Sequence, residues 1–325
     1  MSSLFKKWIN TPDSGDLFSS VRENKYITGF FRAIRINKLL NKLLKELHIR
    51  TKRWIMESKY GQKLREEITG QLTVQGVIFN LYDPLHWYLP DSPYLTAKTY
   101  EPAVTHLLKA LIKKKSCFLD IGSQSGFFTV FVGSLNKDCE IHSFEPNSEY
   151  FFVTKYNVDL NNLDVNLYCM ALSDETAEIP LFGGGMKVKE NERYEMVNAL
   201  PFDNLAQKEN IHPDIIKLDV HGGEGKVLFG MKKALKDDIN HLFLELHTNE
   251  LLVGYSMKQV IDLLLESGFL LYEFNRFRYE DLPEVTKITG LAYDNLTNQD
   301  KWTHLQTDQM RMIFATKNPE EFAYD

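Results

Sequence analysis

The chain lacks several features that would place it quickly. Its 325 residues include three cysteines, Cys117, Cys139 and Cys169, with neither C-x-x-C nor metal-ligand spacing among them. That excludes a disulfide framework and a thiolate zinc site. Each lies in or beside an apolar run, so all three are expected to be small buried hydrophobes in a reducing, cytoplasmic setting. No apolar run approaches the roughly 20 residues of a membrane-spanning helix, and the first residues lack the apolar centre of a secretory signal. Positive charge is not in excess either. A formal net charge of -6 leaves the chain as a whole without the basic footprint of a nucleic-acid binder.

What is present is, first, an uneven charge distribution. Residues 1–70 hold fifteen Lys/Arg and seven Asp/Glu, a local charge of +8, which leaves -14 for the remainder. Ile36, Leu39, Leu40, Leu43, Leu44 and Leu47 recur at helical spacing, with Arg35, Lys38, Lys42 and Lys45 on the other face. The pattern predicts a basic amphipathic helix. Such a helix either makes peripheral contact with an anionic membrane surface or an acidic partner, or packs its leucines on the rest of the protein with its lysines solvated. Residues 1–72 are read as a basic helical extension and 73–325 as the main domain. With 43% hydrophobic residues the chain can bury one large α/β core.

The densest motif is Phe118-Leu119-Asp120-Ile121-Gly122-Ser123-Gln124-Ser125-Gly126, followed after a second apolar run by Phe144-Glu145-Pro146. A buried strand, a glycine turn opening a helix and an acidic residue about twenty positions later are the parts a doubly wound sheet uses to hold a nucleoside. A dinucleotide turn, G-x-G-x-x-G, uses its glycines for close approach of a pyrophosphate. Here the pattern is D-x-G-x-x-x-G, and the second close-approach glycine is missing. Asp120 before the turn suits a ligand carrying positive charge, such as the sulfonium and ammonium of S-adenosylmethionine. Glu145 would then accept hydrogen bonds from ribose hydroxyls. An NAD(P)-dependent oxidoreductase would use the same strand, turn and Glu145, and an ordinary βα turn with an exposed Glu is the plainest alternative.

Strands are expected near 116–121, 140–145, 165–170, 214–220, 241–247, 269–274 and 310–316, with helices after the first, second, fourth and fifth. A helix opens at Tyr100-Glu101-Pro102, where Glu101 either favours the helix dipole or contacts the cofactor. No helix is evident between the last two runs, so they read as an antiparallel pair closing the sheet. The fold class is α/β. A seven-stranded, mostly parallel sheet with this ending resembles the class I methyltransferase (Rossmann-like) architecture.

The order of landmarks resembles the FkbM-type methyltransferase family over residues 97 to 275. The matching pieces are Tyr100-Glu101, the Asp120 to Phe128 turn, Phe144-Glu145-Pro146 with Asn157 and Asn161, Ala171-Leu172-Ser173-Asp174, and Phe202-Asp203-Asn204-Leu205. To these are added Lys217-Leu218-Asp219-Val220-His221-Gly222-Gly223-Glu224 and Glu245-Leu246-His247. The resemblance implies transfer of a methyl group from S-adenosylmethionine, usually to a hydroxyl of a sugar, polyketide or similar small acceptor. Carried onto this chain, it implies cofactor contacts by Glu101, Asp120, Gly122, Ser123, Gly126, Phe127, Glu145, Pro146, Ala171, Leu172 and Asp219. Two departures from the family pattern stand out. Ser123-Gln124 stands for the common Ala-Asn, and His221 for a carboxylate.

Ligands of open α/β sheets bind outside the carboxyl ends of the strands, which is where Asp219 and His221 fall. Strand alternation puts the two on one side. A hydroxyl acceptor must lose a proton, and a histidine titrating near neutrality can take it with Asp219 orienting the ring. His221 is therefore the candidate general base, with a solvated loop residue as the plain alternative. Glu224 either joins the site or only favours a helix dipole. Glu245 interrupts a strand expected to be buried on both faces, where an unpaired carboxylate is costly, so a site role shared with His247 is expected. The catalytic candidates are Asp219, His221 and Glu245. No compact ligand set for a metal is visible, and none is expected. Residues 172–212 and the aromatic loop 82–95 are expected to cover an acceptor pocket. A non-catalytic membrane adaptor on the same fold is the reading from a different class.

Overall fold

The computed structural model describes residues 69–84, 88, 100–113, 115–182, 194–274, 285–297 and 310–321. The expected basic helix, Gly183-Gly184-Gly185 and most of the loop 82–95 lie outside them. The chain divides into two compact units, Met1–Thr69 with Tyr82–His86, and Gly70–Leu81 with Trp87–Asp325. The second holds nearly all the described residues.

Strands β1 (Thr69–Val74) and β2 (Val77–Tyr82) form a hairpin. Its two-residue turn, Gln75-Gly76, has φ of 49° and 79°, the mirror-type turn that suits strand twist. Helix α1 (Pro102–Leu111) follows, then β3 (Cys117–Ile121), α2 (Phe127–Leu135), β4 (Glu140–Phe144), α3 (Ser148–Leu160) and β5 (Asn166–Tyr168). A small sheet is made of β6 (Ala171–Leu172), β7 (Ala177–Phe182) and β8 (Tyr194–Leu200). After α4 (Phe202–Glu209) come β9 (Ile215–Leu218), α5 (Glu224–Phe229), α6 (Lys232–Asp237), β10 (His241–His247), α7 (Met257–Glu266) and β11 (Leu270–Phe274). The chain continues through β12 (Val285–Lys287), α8 (Leu291–Thr297) and β13 (Met310–Thr316).

The main sheet runs β12-β11-β13-β10-β9-β3-β4-β5. From β10 through β5 every pairing is parallel, and β13 lies antiparallel between β10 and β11. All seven expected strands are present in the expected architecture, and β12 adds an eighth at the edge. The chain leaves β3 outward through β4 to β5, then returns to β9 on the other side of β3. This reversal between β3 and β9 is the topological switch point where such sheets bind ligands.

Alternation along the central strands supplies both faces of the core. Leu119, Ile216, Leu242, Leu244 and Ile313 join one buried cluster with residues of α4 to α7, and Phe118, Ile215, Phe243 and Phe314 join another with residues of α1 and α2. Helix α7 starts where Ser256 and Gln259 form a reciprocal capping box. The C-terminal end of α5 packs on the small sheet so closely that a Cβ at Gly230 would lie 1.9 Å from the Ser173 carbonyl oxygen.

Three expectations need correction. Cys169 is exposed, because it follows β5 at the open edge of the sheet, whereas Cys117 and Cys139 are buried. A short helix, α8, does stand between the last two apolar strands. Strand alternation does not carry through Asp219 to His221: β9 ends at Leu218 and His221 has φ of 51°. The two side chains meet through a turn instead.

Candidate active site

The β3 turn is built by close approach. Gly122 has φ of 83°, and a Cβ there would lie 1.8 Å from the Asp219 carbonyl oxygen, so only glycine lets the ends of β3 and β9 come together. Its N–H donates to Phe144 O at 2.9 Å, and Ser123 N donates to the same oxygen. Gly126 N donates to Ser123 O, which closes the turn. Asp120 is buried and accepts from both the backbone N–H and the hydroxyl of Thr129. It ties α2 to β3, and burial pushes its carboxyl up to about 6 against those hydrogen bonds. Asn157 of α3 holds Ser125 O at 2.8 Å.

Glu145 follows β4 directly and is buried beside this turn. Its Oε2 accepts from Gln124 N at 2.9 Å and its Oε1 from Asn147 N at 2.8 Å. Burial nonetheless raises its carboxyl to about 7. Pro146 is half-buried between Glu145 and Asn147, which caps α3. Gln124, one of the two departures, accepts from the Tyr88 hydroxyl at 2.6 Å. Tyr88 stacks on Phe127, which also meets Phe79, Tyr100 and Phe128 edge-on. The Phe127 ring therefore supports the turn from the core. Leu172 likewise lies in the core with Phe144 and Phe202, while Ala171 pairs with Ala199 in the small sheet.

The other half of the site forms where β10 outruns β9. Their parallel register ends at Leu218 against Leu244, which carries Glu245 and His247 alongside the turn that follows Leu218. Lys217 is 2% exposed, with Nζ 3.6 Å from Glu101 and 3.9 Å from Asp219. Burial alone would lower its pKa, but Glu101, Asp219, Glu245 and Asp120 more than offset that and raise it. Its ammonium also lies 5.2 Å from the centre of the Phe128 ring. Glu101 begins α1 in left-handed conformation and makes no capping bond with its side chain, so the carboxylate serves Lys217 rather than the helix end.

His221 is 58% exposed at its side chain, with Nδ1 3.5 Å from Asp219 Oδ1. Glu224 is fully buried; its Oε1 accepts from Gly222 N at 2.9 Å and pairs with His247 Nδ1 at 2.8 Å. Burial would lower the His247 pKa, but Glu224 and the neighbouring carboxylates lift it to about 9. Glu245 is buried, 3.9 Å from His247 Nε2. The structure thus brings Glu101, Asp219, His221, Glu245 and His247 to one place beside the Gly122 turn. Lys217 and Glu224 complete it. Lys217 went unassigned in the sequence, although a lysine inside the apolar run Ile215-Ile216-Lys217-Leu218 was the available signal.

The donors fit a cationic nucleoside. Glu145 has lone pairs left for a ribose diol, and Ser123, Ser125 and both oxygens of Glu101 are buried without hydrogen-bond partners among the described residues. Carboxylates at 101, 120, 145, 219, 224 and 245 outnumber the cations around the turn. A sulfonium and an ammonium are favoured there, and a pyrophosphate would meet like charge.

Residues 120–271 match the family model described as Methyltransferase FkbM domain. Hexuronic acid methyltransferase AglP of Haloferax volcanii is 26% identical over 173 residues, 51% of this chain and 69% of that protein. Among solved structures, a SAM-dependent methyltransferase from Agrobacterium tumefaciens covers 77% of this chain and 70% of its own, at 12% identity and a TM-score of 0.41. A precorrin-6y C5,15-methyltransferase from Geobacter metallireducens covers 66% and 86%, at 12% identity and a TM-score of 0.36. These structural likenesses are too slight to add to what the strand order shows. Residues 120–271 thus carry the sequence pattern of an FkbM-type, S-adenosylmethionine-dependent methyltransferase domain.

Proposed function

We propose that the chain methylates an oxygen of a sugar or similar small polyol, with the acceptor hydroxyl facing Asp219 and His221. The carrying observation is the exposed His221 ring 3.5 Å from Asp219, on the turn whose backbone touches Gly122. S-adenosylmethionine supplies a carbon already activated for displacement by its sulfonium. The protein's part is to align the acceptor and to receive its proton.

Glu145 and the backbone of residues 122–126 would hold the nucleoside, and Glu101 would face the ammonium end. Asp219 orients the His221 ring and stabilises its charged form as the hydroxyl proton arrives. Glu245 and His247 stand beside them as acceptor contacts. A sugar acceptor is supported by the hexuronic acid named for the Haloferax relative.

Incubation with isotopically labelled S-adenosylmethionine and a panel of free and glycosidically linked sugars, hexuronic acids included, tests the reading. A hexuronic acid offers hydroxyls and a carboxylate, so mild alkali distinguishes a stable methyl ether from a labile ester. Label in an alkali-stable sugar product is expected; label only in esters, or only on nitrogen acceptors, would overturn hydroxyl transfer.

A further inference from the structure

We infer that Asp219, His221 and His247 form a binding site for a divalent first-row transition cation. Each offers a ligand atom within 4.8 Å of the others, and the two imidazole rings lie 5.2 Å apart. Two imidazoles and one carboxylate suit zinc, manganese, cobalt or nickel, whereas magnesium and calcium prefer all-oxygen sets.

The supports around these three side chains are those of a ligand set. Nδ1 of His247 is engaged by the buried Glu224 at 2.8 Å, which fixes the ring and leaves Nε2 as the ligating atom. The same Glu224 oxygen accepts Gly222 N–H, and Gly222 O accepts Val253 N–H, so the turn bearing His221 is held from both sides. Within that turn His221 has φ of 51° and Gly222 φ of 106°. A non-glycine residue held in left-handed conformation turns its imidazole back beside Asp219. His221 is also the exposed member, so the open coordination positions face outward, where an acceptor would enter.

Two other sets of possible ligands are less suited. In the set Glu101, Asp219 and Glu245, the first two carboxylates are already turned to the Lys217 ammonium. In the set Cys117, Glu140 and His142, burial pushes the thiol up, and His142 Nε2 is taken by Glu140 at 2.8 Å. The sequence concealed the histidine set because His247 is far along the chain from Asp219 and comes beside it only through the β9–β10 register.

The role of the cation, though not its binding, rests on the acceptor reading above. With the cation bound, the acceptor hydroxyl on it loses its proton to water and His221 serves as a ligand; without the cation, His221 itself receives the proton. The oxygen–methyl bond forms as the sulfur–methyl bond breaks, and the electron pair stays on sulfur.

The test is titration of chelator-stripped full-length protein with Zn²⁺ and Co²⁺, with Mg²⁺ as control, read by calorimetry and by the Co²⁺ d–d absorption. One Zn²⁺ or Co²⁺ per chain is expected, with affinity at least about 10-fold weaker in His221→Asn, a residue that tolerates left-handed backbone. Equal binding by wild type and His221→Asn, or none by either, overturns the site. Methyl transfer followed in the same samples separates the two ideas. Transfer unaffected by chelation and by Zn²⁺ overturns the role of the cation and spares the acceptor reading; one cation bound with no sugar methylated does the reverse.

Discussion

The Lys217 ammonium and the Glu101 carboxylate lie 3.6 Å apart with their side chains almost wholly removed from solvent. They join the start of α1 to the middle of β9, directly beneath the site. Neither Glu101 oxygen has a hydrogen bond among the described residues, so the pair is held by charge. Removing Lys217 strands Glu101, and removing Glu101 leaves Lys217 with the longer contact to Asp219. Glu101→Gln and Lys217→Met are each expected to lower unfolding free energy by about 3–5 kcal/mol, and the double substitution by less than their sum. Denaturant titration of all four proteins checks this; additive losses would show that the two charges do not interact.

Gly122→Ala should be more damaging than its single methyl suggests. The added Cβ would fall on the Asp219 carbonyl, and φ of 83° is itself unfavourable for alanine. The ends of β3 and β9 must part, so stability should fall by several kcal/mol. S-adenosylmethionine binding should be lost by calorimetry in whatever fraction still folds.

The raised carboxyls make stability depend on pH in a defined direction. Glu145 is pushed up to about 7 and Asp120 to about 6, in both cases by burial. The folded chain keeps protons that an unfolded chain has released above about pH 4.5. Stability of the unliganded protein therefore falls as pH rises from about 4.5 to 7. Glu145→Gln should remove roughly 3 kcal/mol of that fall between pH 5 and 8. Parallel pH dependences for wild type and variant in denaturant melts would refute it.

His221→Ala is expected to lower methyl transfer by about 10²–10⁴ with S-adenosylmethionine affinity nearly unchanged. Its ring is exposed and pairs with Asp219, whereas Glu145 is engaged by the backbone of Gln124. Single-turnover rates and calorimetry together check this, and full turnover in the variant would remove His221 from the chemistry.

What the sequence disclosed followed from local pattern. The β3 turn and Glu145 were legible because a buried strand, a glycine and an acid after the next strand are close along the chain. The strands of the main sheet were legible because each parallel strand is a continuous apolar run. The pairing of Glu224 with His247 was not, since it depends on how far β10 extends past β9. Lys217 was overlooked because lysine in a strand usually reaches for water, and here Glu101 and Asp219 supply the counter-charge inside. The Asp219–His221 proximity was anticipated by strand alternation, but the cause is a left-handed turn. Strand β12 and helix α8 are too short to leave a period in the sequence.

The donors of the site come from the ends of β3, β4, β9 and β10 and from the head of α1, spread from Glu101 to His247. The turn and Glu145 lie in one short stretch, but the full donor set exists only when all four strands are in the sheet. Methyl-donor binding is thereby a gauge of complete sheet assembly, since its donors come together only in the assembled sheet. The same arrangement means that folding quality can be scored by a nucleoside in solution, before any acceptor is known.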